Sequence, residues 1–167
     1  DLTRNRPNGD VPHSTIKAVS ESALMFGLIY CGADDGRMTM TPDGGNTWID
    51  IPTPQPEKWI SRVVASKYDE STVYVSQSGY REDDWSAYLW KSTDQGKTWT
   101  SIAGNLPAET INVVREDPKD KNILYVGTDM GVFITFDGGA TWETLNGGIS
   151  HLPVHDMQIQ EREDDLV

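Results

Sequence analysis

One eight-residue stretch occurs three times in this chain, and it limits the fold more than any other feature. Residues 41–48 read Thr-Pro-Asp-Gly-Gly-Asn-Thr-Trp, residues 92–99 Ser-Thr-Asp-Gln-Gly-Lys-Thr-Trp, and residues 135–142 Thr-Phe-Asp-Gly-Gly-Ala-Thr-Trp. The common rule is a hydroxyl, then Asp43, Asp94 or Asp137, then Gly45, Gly96 or Gly139, then Thr47, Thr98 or Thr141, and last Trp48, Trp99 or Trp142. A fixed internal repeat is the mark of a chain built from stacked, equivalent units. Each residue type has a local reason to recur. An Asp at the head of a turn accepts hydrogen bonds from backbone N–H groups two or three residues on. The glycine can take the positive φ of a tight reversal. The Trp brings a large apolar surface with one N–H to place, which suits a seam between packed sheets. The stretch therefore reads as a self-locking hairpin turn followed by an anchored strand, with structural Asp residues.

This stretch resembles the Asp box, or BNR repeat, of β-propellers. Phrases such as Asp1-Leu2-Thr3-Arg4-Asn5 and Arg115-Glu116-Asp117-Pro118 make the chain most similar to sortilin-like bacterial proteins of the BNR-repeat glycosyl hydrolase type. The resemblance implies an all-β propeller and an extracellular or periplasmic location. It leaves the activity open.

The rest of the chain supports four-stranded antiparallel units. In the first unit, short apolar or alternating runs at residues 14–20, 27–32, 37–41 and 48–51 are bounded by turn residues. The second unit repeats them at 59–65, 72–76, 88–92 and 99–102, and the third at 110–115, 123–128, 132–135 and 142–145. A fourth unit begins at residue 154 and is cut off at residue 167. The expectation is one propeller segment over residues 1–167, with blades at about 14–51, 59–102 and 110–145 and a partial blade at 154–167, part of a larger propeller. Asp1 to Asn5 look like the last strand of a preceding blade. Tyr30, Tyr74 and Tyr125 hold one place in the second strands. The step to the next Asp-box Asp is 13 residues from Tyr30, 12 from Tyr125 and 20 from Tyr74. The second unit thus carries about seven extra residues, within 79–87.

Strands alternate direction in a blade, so the Asp boxes lie at one end of every blade. Asp35, the 79–87 insertion and Asp129 lie at the other, with the links between blades. Ligands bind where loops vary on a rigid frame. The binding candidates are therefore Tyr80, Arg81, Asp83, Asp84, Trp85, Tyr88, Asp35 and Asp129, the aromatics to stack on a sugar or peptide and the charges to hydrogen-bond it. The bland alternative for the insertion is a solvated hairpin extension that covers a neighbouring blade.

The 26 acidic against 14 basic residues, a net charge of −12, argue against a nucleic-acid partner and against anionic membrane surfaces. No apolar run is long enough for membrane insertion. Cys31, the only cysteine, excludes an intrachain disulfide and reads as a buried small hydrophobe. The seven arginines form no cluster for a substrate carboxylate and the Arg-Ile-Pro signature is missing, which argues against a sialidase. His151 and His155 are separated by Pro153, so they do not form a helical metal pair, and neither Asp34-Asp35-Gly36 nor Asp83-Asp84 has the ligand density of a calcium loop. No metal and no cofactor are expected. Two functions remain: a non-catalytic module that binds protein, peptide or carbohydrate, and a portion of a glycoside hydrolase. Either should self-associate or join the rest of a propeller.

Overall fold

The computed structural model describes residues 14–145, 151–160, 162 and 165–167. Three four-stranded antiparallel sheets follow one another. The first runs β1 (Ile16–Glu21), β2 (Ile29–Ala33), β3 (Met38–Thr41) and β4 (Ile49–Ile51). The second runs β5 (Trp59–Ala65), β6 (Val73–Gly79), β7 (Asp84–Ser92) and β8 (Thr100–Ser101), and the third β9 (Ile111–Glu116), β10 (Leu124–Thr128), β11 (Gly131–Thr135) and β12 (Glu143–Thr144). A two-stranded ladder, β13 (Ile159–Gln160) with β14 (Asp165–Leu166), ends the chain. These are propeller blades whose first strands stand side by side, β1 against β5 and β5 against β9. The segment at Asp1 to Asn5 lies outside the described residues, as does most of the link before the fourth unit.

The core lies between blades, because a strand's successive side chains point to opposite faces. Val73 and Val75 join Tyr30, Met38 and Ile51 in the seam of blades one and two. Tyr74, between them in sequence, joins Ile111, Val126 and Trp142 in the seam of blades two and three. Cys31 is buried, and burial pushes its thiol pKa up, so it is inert.

The three Asp boxes close in one way. The Oδ1 atoms of Asp43, Asp94 and Asp137 accept the N–H of Thr47, Thr98 and Thr141 at 2.8–2.9 Å, and their Oδ2 atoms accept the same threonines' hydroxyls at 2.6–2.7 Å. The first hydroxyl of each box donates to the carboxylate and accepts the glycine N–H, as Thr135 does at 2.7 and 3.0 Å. The Asp reaches four residues on, two further than a simple Asp turn, because the hydroxyl takes the nearer N–H. Each box also bonds the turn between the first and second strands of its blade, Gly44 N–H to Gly27, Gln95 to Ser71 and Gly138 to Asn122.

Several strand limits differ from expectation. The fourth strands start one residue after their Trp, and the rings of Trp99 and Trp142 turn into the seams. The third strand of blade two starts at Asp84 rather than 88, because the insertion extends the β6–β7 hairpin through Gly79↔Asp84. Residues 154–157 form no ladder, and Gln158 exchanges both backbone hydrogen bonds with Val167 beside β13 and β14. Val154 N–H is bound to Thr128, and Arg62 and Arg115 take the carbonyls of His155 and Met157.

Candidate binding pocket

The insertion folds back onto its own blade. Tyr80–Glu82 form a single 3-10 turn, and Asp83 closes it in the left-handed region at φ 57°. The turn sets Tyr80 beside Trp59, with ring centroids 5.6 Å apart and planes tilted by 54°. Arg81 lays its guanidinium 5.0 Å from the Trp59 centroid and reaches across to blade one, where Nη1 stands 3.5 Å from Oδ2 of the buried Asp34. Asp34 Oδ1 accepts the N–H of Thr15. At the root of the turn Lys58 Nζ contacts Asp84 at 2.7 Å and Glu82 at 3.9 Å. Asp84 also accepts the Tyr88 hydroxyl at 2.7 Å and the Ser86 N–H at 3.0 Å. The Lys58 hydrogen bond, with those of Tyr88 and Ser86, holds the Asp84 carboxyl well below the usual carboxylate range. In return Asp84 raises the pKa of Lys58 and of Tyr88.

Beside this turn lies a pocket of about 440 Å³. Trp59, Ser61 and Arg62 enter it from β5, and Ser78, Tyr80 and Trp85 from the insertion and its flank. Thr110 and Asn112 come from the start of blade three, Asp129 from the β10–β11 turn, and His155 from the last link. Asn112 Nδ2 donates to Asp129 Oδ1 at 2.9 Å and fixes its orientation. Tyr80 and Trp85 are 44% and 48% exposed, so two aromatic faces are open to the pocket. Among the described residues, Trp59 Nε1, Arg62 Nε and Thr110 Oγ1, all in its wall, are buried without a hydrogen-bond partner. Buried polar groups are nearly always paired, and the exceptions concentrate where function or bound water supplies the partner.

The eight candidates from the sequence separate here. Tyr80, Trp85 and Asp129 line the pocket. Arg81, Asp84 and Tyr88 are engaged in docking the insertion. Asp83 accepts the Trp85 indole N–H at 3.3 Å. Asp35 is buried and accepts the Arg37 N–H within its own turn. Sequence reasoning passed over Trp59, Ser61, Thr110 and Asn112. Their signal was available: each alternates with the core residues Ile60, Ile111 and Val113, so each lies on the opposite face of its strand from them. His151 and His155 do not converge. His151 Nδ1 lies 3.3 Å from the Met130 carbonyl, while His155 lines the pocket. Among the described residues there is no group of three or more His, Cys, Asp or Glu able to hold a metal, and no helix is long and apolar enough to cross a membrane.

Residues 36–167 match the family model described as Sortilin-Vps10, "Sortilin, neurotensin receptor 3". The chain belongs to the sortilin–Vps10 family. Within that family assignment its relatives point to glycoside hydrolases. Xyloglucanase Xgh74A of Acetivibrio thermocellus is 28% identical over 135 residues, which are 71% of this chain and 16% of that protein. The chain thus spans about one sixth of that relative's length. The crystal structure of the Niastella koreensis GH74 enzyme superposes with a TM-score of 0.63 at 19% identity, over 80% of this chain and 23% of that one. YCF48 bound to D1 peptide superposes with a TM-score of 0.59 at 17% identity, over 88% and 46%. At these identities the superpositions show the fold alone, a β-propeller, and this sortilin–Vps10 chain is a BNR-type propeller related to glycosyl hydrolases.

Proposed function

We propose that the pocket between blades two and three is a carbohydrate-binding subsite, in which Trp85 and Tyr80 stack on the apolar face of a sugar ring while Asn112, Asp129 and Ser78 bond its hydroxyls. The observation that carries this reading is the pairing of open aromatic faces with a few polar groups in one pocket, the composition of small-ligand sites. The kinship with xyloglucanases supports a glycan of the plant β-glucan class. Hydrolysis in most glycosidases needs two carboxylates across the scissile bond, and among the residues lining the pocket only Asp129 carries one. The reading is therefore binding without cleavage by these residues. A second reading is favoured by the relatives themselves: the pocket contributes one side of a longer hydrolase cleft whose other carboxylate comes from elsewhere in the full-length protein.

Calorimetric titration with xyloglucan oligosaccharides tests the proposal, with Trp85→Ala and Asn112→Ala as controls. Micromolar to millimolar binding that both variants weaken is expected, with no new reducing ends released. Release of reducing ends abolished by Asp129→Asn would favour the hydrolase. Binding to extended peptides but not to sugars would overturn both readings.

A further inference from the structure

Arg62 breaks the rule of its strand position. The registers put Ala18, Arg62 and Val113 at one place in the first strands, paired with Gly32, Ser76 and Gly127. Ala18 and Val113 are buried apolar residues of core clusters. Blade two instead carries a guanidinium there, in the wall of the pocket, with its side chain 25% exposed. Taking a charge out of water is costly unless it is fully paired. A residue that breaks a local rule without a compensating gain in stability points to a functional site.

The pairing of Arg62 is incomplete. Its Nη2 donates to Asp156 Oδ1 at 3.2 Å and to the His155 carbonyl at 3.3 Å. The same Asp156 oxygen accepts Arg115 Nη2 at 2.7 Å and the Met157 N–H at 2.9 Å. One carboxylate therefore serves two arginines and lies closer to the other. Arg115 also donates from Nε to the Met157 carbonyl and from Nη1 to the Val114 carbonyl. Burial first, and then the Arg62 charge, lower the Arg115 pKa against a smaller rise from Asp156. Arg62 Nε, Trp59 Nε1 and Thr110 Oγ1 have no partner among the described residues, and Thr110 is only 6% exposed. Guanidinium and indole nitrogens can only donate. Lys17 Nζ and the Arg81 guanidinium stand 5.7 and 5.0 Å from the Trp59 ring centroid. Arg81 is answered by Asp34, and the pocket's one carboxylate, Asp129, accepts from Asn112. In a chain of net charge −12, this wall is rich in donors and cations.

We propose, resting on the reading of the pocket as a carbohydrate subsite, that it takes an acidic sugar, a uronic acid whose carboxylate is held by Arg62 while Trp85 and Tyr80 face the ring. An ionised carboxylate only accepts hydrogen bonds, so it suits a wall whose spare groups donate. It also supplies the negative charge that Asp156 divides between two arginines. Its planar pair of oxygens matches the edge of a guanidinium, and such charge-assisted bonds are about twice as strong as neutral ones. Arg62 is then the residue that sets specificity. A neutral ring is held by the aromatics and by bonds to its hydroxyls, and an acidic ring by these and by Arg62.

Calorimetric titration of the 167-residue chain with a matched pair of ligands tests this. One is cellotetraose, and the other is cellotetraose with its primary alcohols oxidised to carboxylates. The oxidised form should bind about tenfold tighter or more, the worth of a charge-assisted contact. Arg62→Gln should remove that preference. Asp156→Asn should widen it, because the carboxylate that competes for Arg62 is gone, and a merely structural Arg62 would not give these opposite signs. Equal affinities for the two ligands, or tighter binding of the neutral one, would overturn the acidic-sugar assignment and leave the carbohydrate subsite standing. Binding of neither at millimolar concentration would overturn both. A preference that persists in folded Arg62→Gln would place the carboxylate on another group and overturn the role of Arg62. Should that variant lose its fold, Asp156→Asn decides, and a preference that it leaves unchanged or narrows overturns the proposal.

Discussion

At the Asp-box end of the blades each turn satisfies itself within eight residues, and all three do so with the same atoms. Gly44, Gln95 and Gly138 fasten these turns to their neighbours, and buried Glu116 of blade three accepts from Ser66 Oγ, the Lys67 N–H and the Tyr74 hydroxyl of blade two at 2.8, 2.6 and 3.1 Å. At the opposite end the turns differ from blade to blade, one carries an insertion, and the wall between blades two and three keeps three polar atoms without partners. The difference teaches where a repeat protein places its constraints. Turns whose hydrogen bonds are complete within themselves serve the fold, whereas an end with open aromatics and unpartnered donors has capacity left for a ligand.

The largest effect should come from removing the staple at the Asp-box end. Glu116→Ala leaves two buried hydroxyl donors and the partly buried Lys67 N–H without this acceptor, and a loss of about 3 kcal/mol is expected, read as a lower denaturant midpoint. Thr135→Val orphans the Gly139 N–H and should cost about 1–3 kcal/mol while sugar binding at the other end is unchanged. The reverse result, stability kept and binding lost, would break the division between the two ends.

Trp85→Ala should do the opposite of Thr135→Val. Its ring is half-exposed, so the melting temperature should hold, while titration should show sugar affinity falling by about five- to tenfold, the worth of one aromatic contact. Arg81→Ala sharpens the contrast, because Arg81 lies at the loop end yet holds buried Asp34. It should lower both the melting temperature and the affinity.

The smallest effect is on acid stability. The hydroxyl and N–H of Thr98 hold Asp94 at about 2, below its ordinary 3.8, and Asp43 and Asp137 are lowered by the matching threonines. A carboxylate with a depressed folded pKa adds stability that is complete above its unfolded value and is lost as pH falls through the folded one. Unfolding should therefore become easier between about pH 4 and pH 2. Asp94→Asn should flatten that slope only in part, checked by thermal melts across the range, since Asp43, Asp69, Asp84 and Asp137 keep their depressed values.

Much of the fold was legible in the sequence because the Asp box is a local device. Its Asp, glycine, Thr and hydroxyl meet within one turn, so spacing alone locates the hairpin, and three copies set the blade count. The alternation of Ile60 with Trp59 and Ser61 likewise marks which side chains enter a seam. Alternation does not say which loop will stand over the side chains that point the other way. Tyr80, Trp85, Asn112 and Asp129 come together because the insertion turns back on Trp59 while blade three stands beside blade two. Arg81 and Asp84, as promising in sequence, are drawn off by Asp34 and Lys58. Those partners are 47 and 26 positions away in the chain, and only packing brings them close enough for charge and hydrogen bonding to choose between a structural contact and an open pocket.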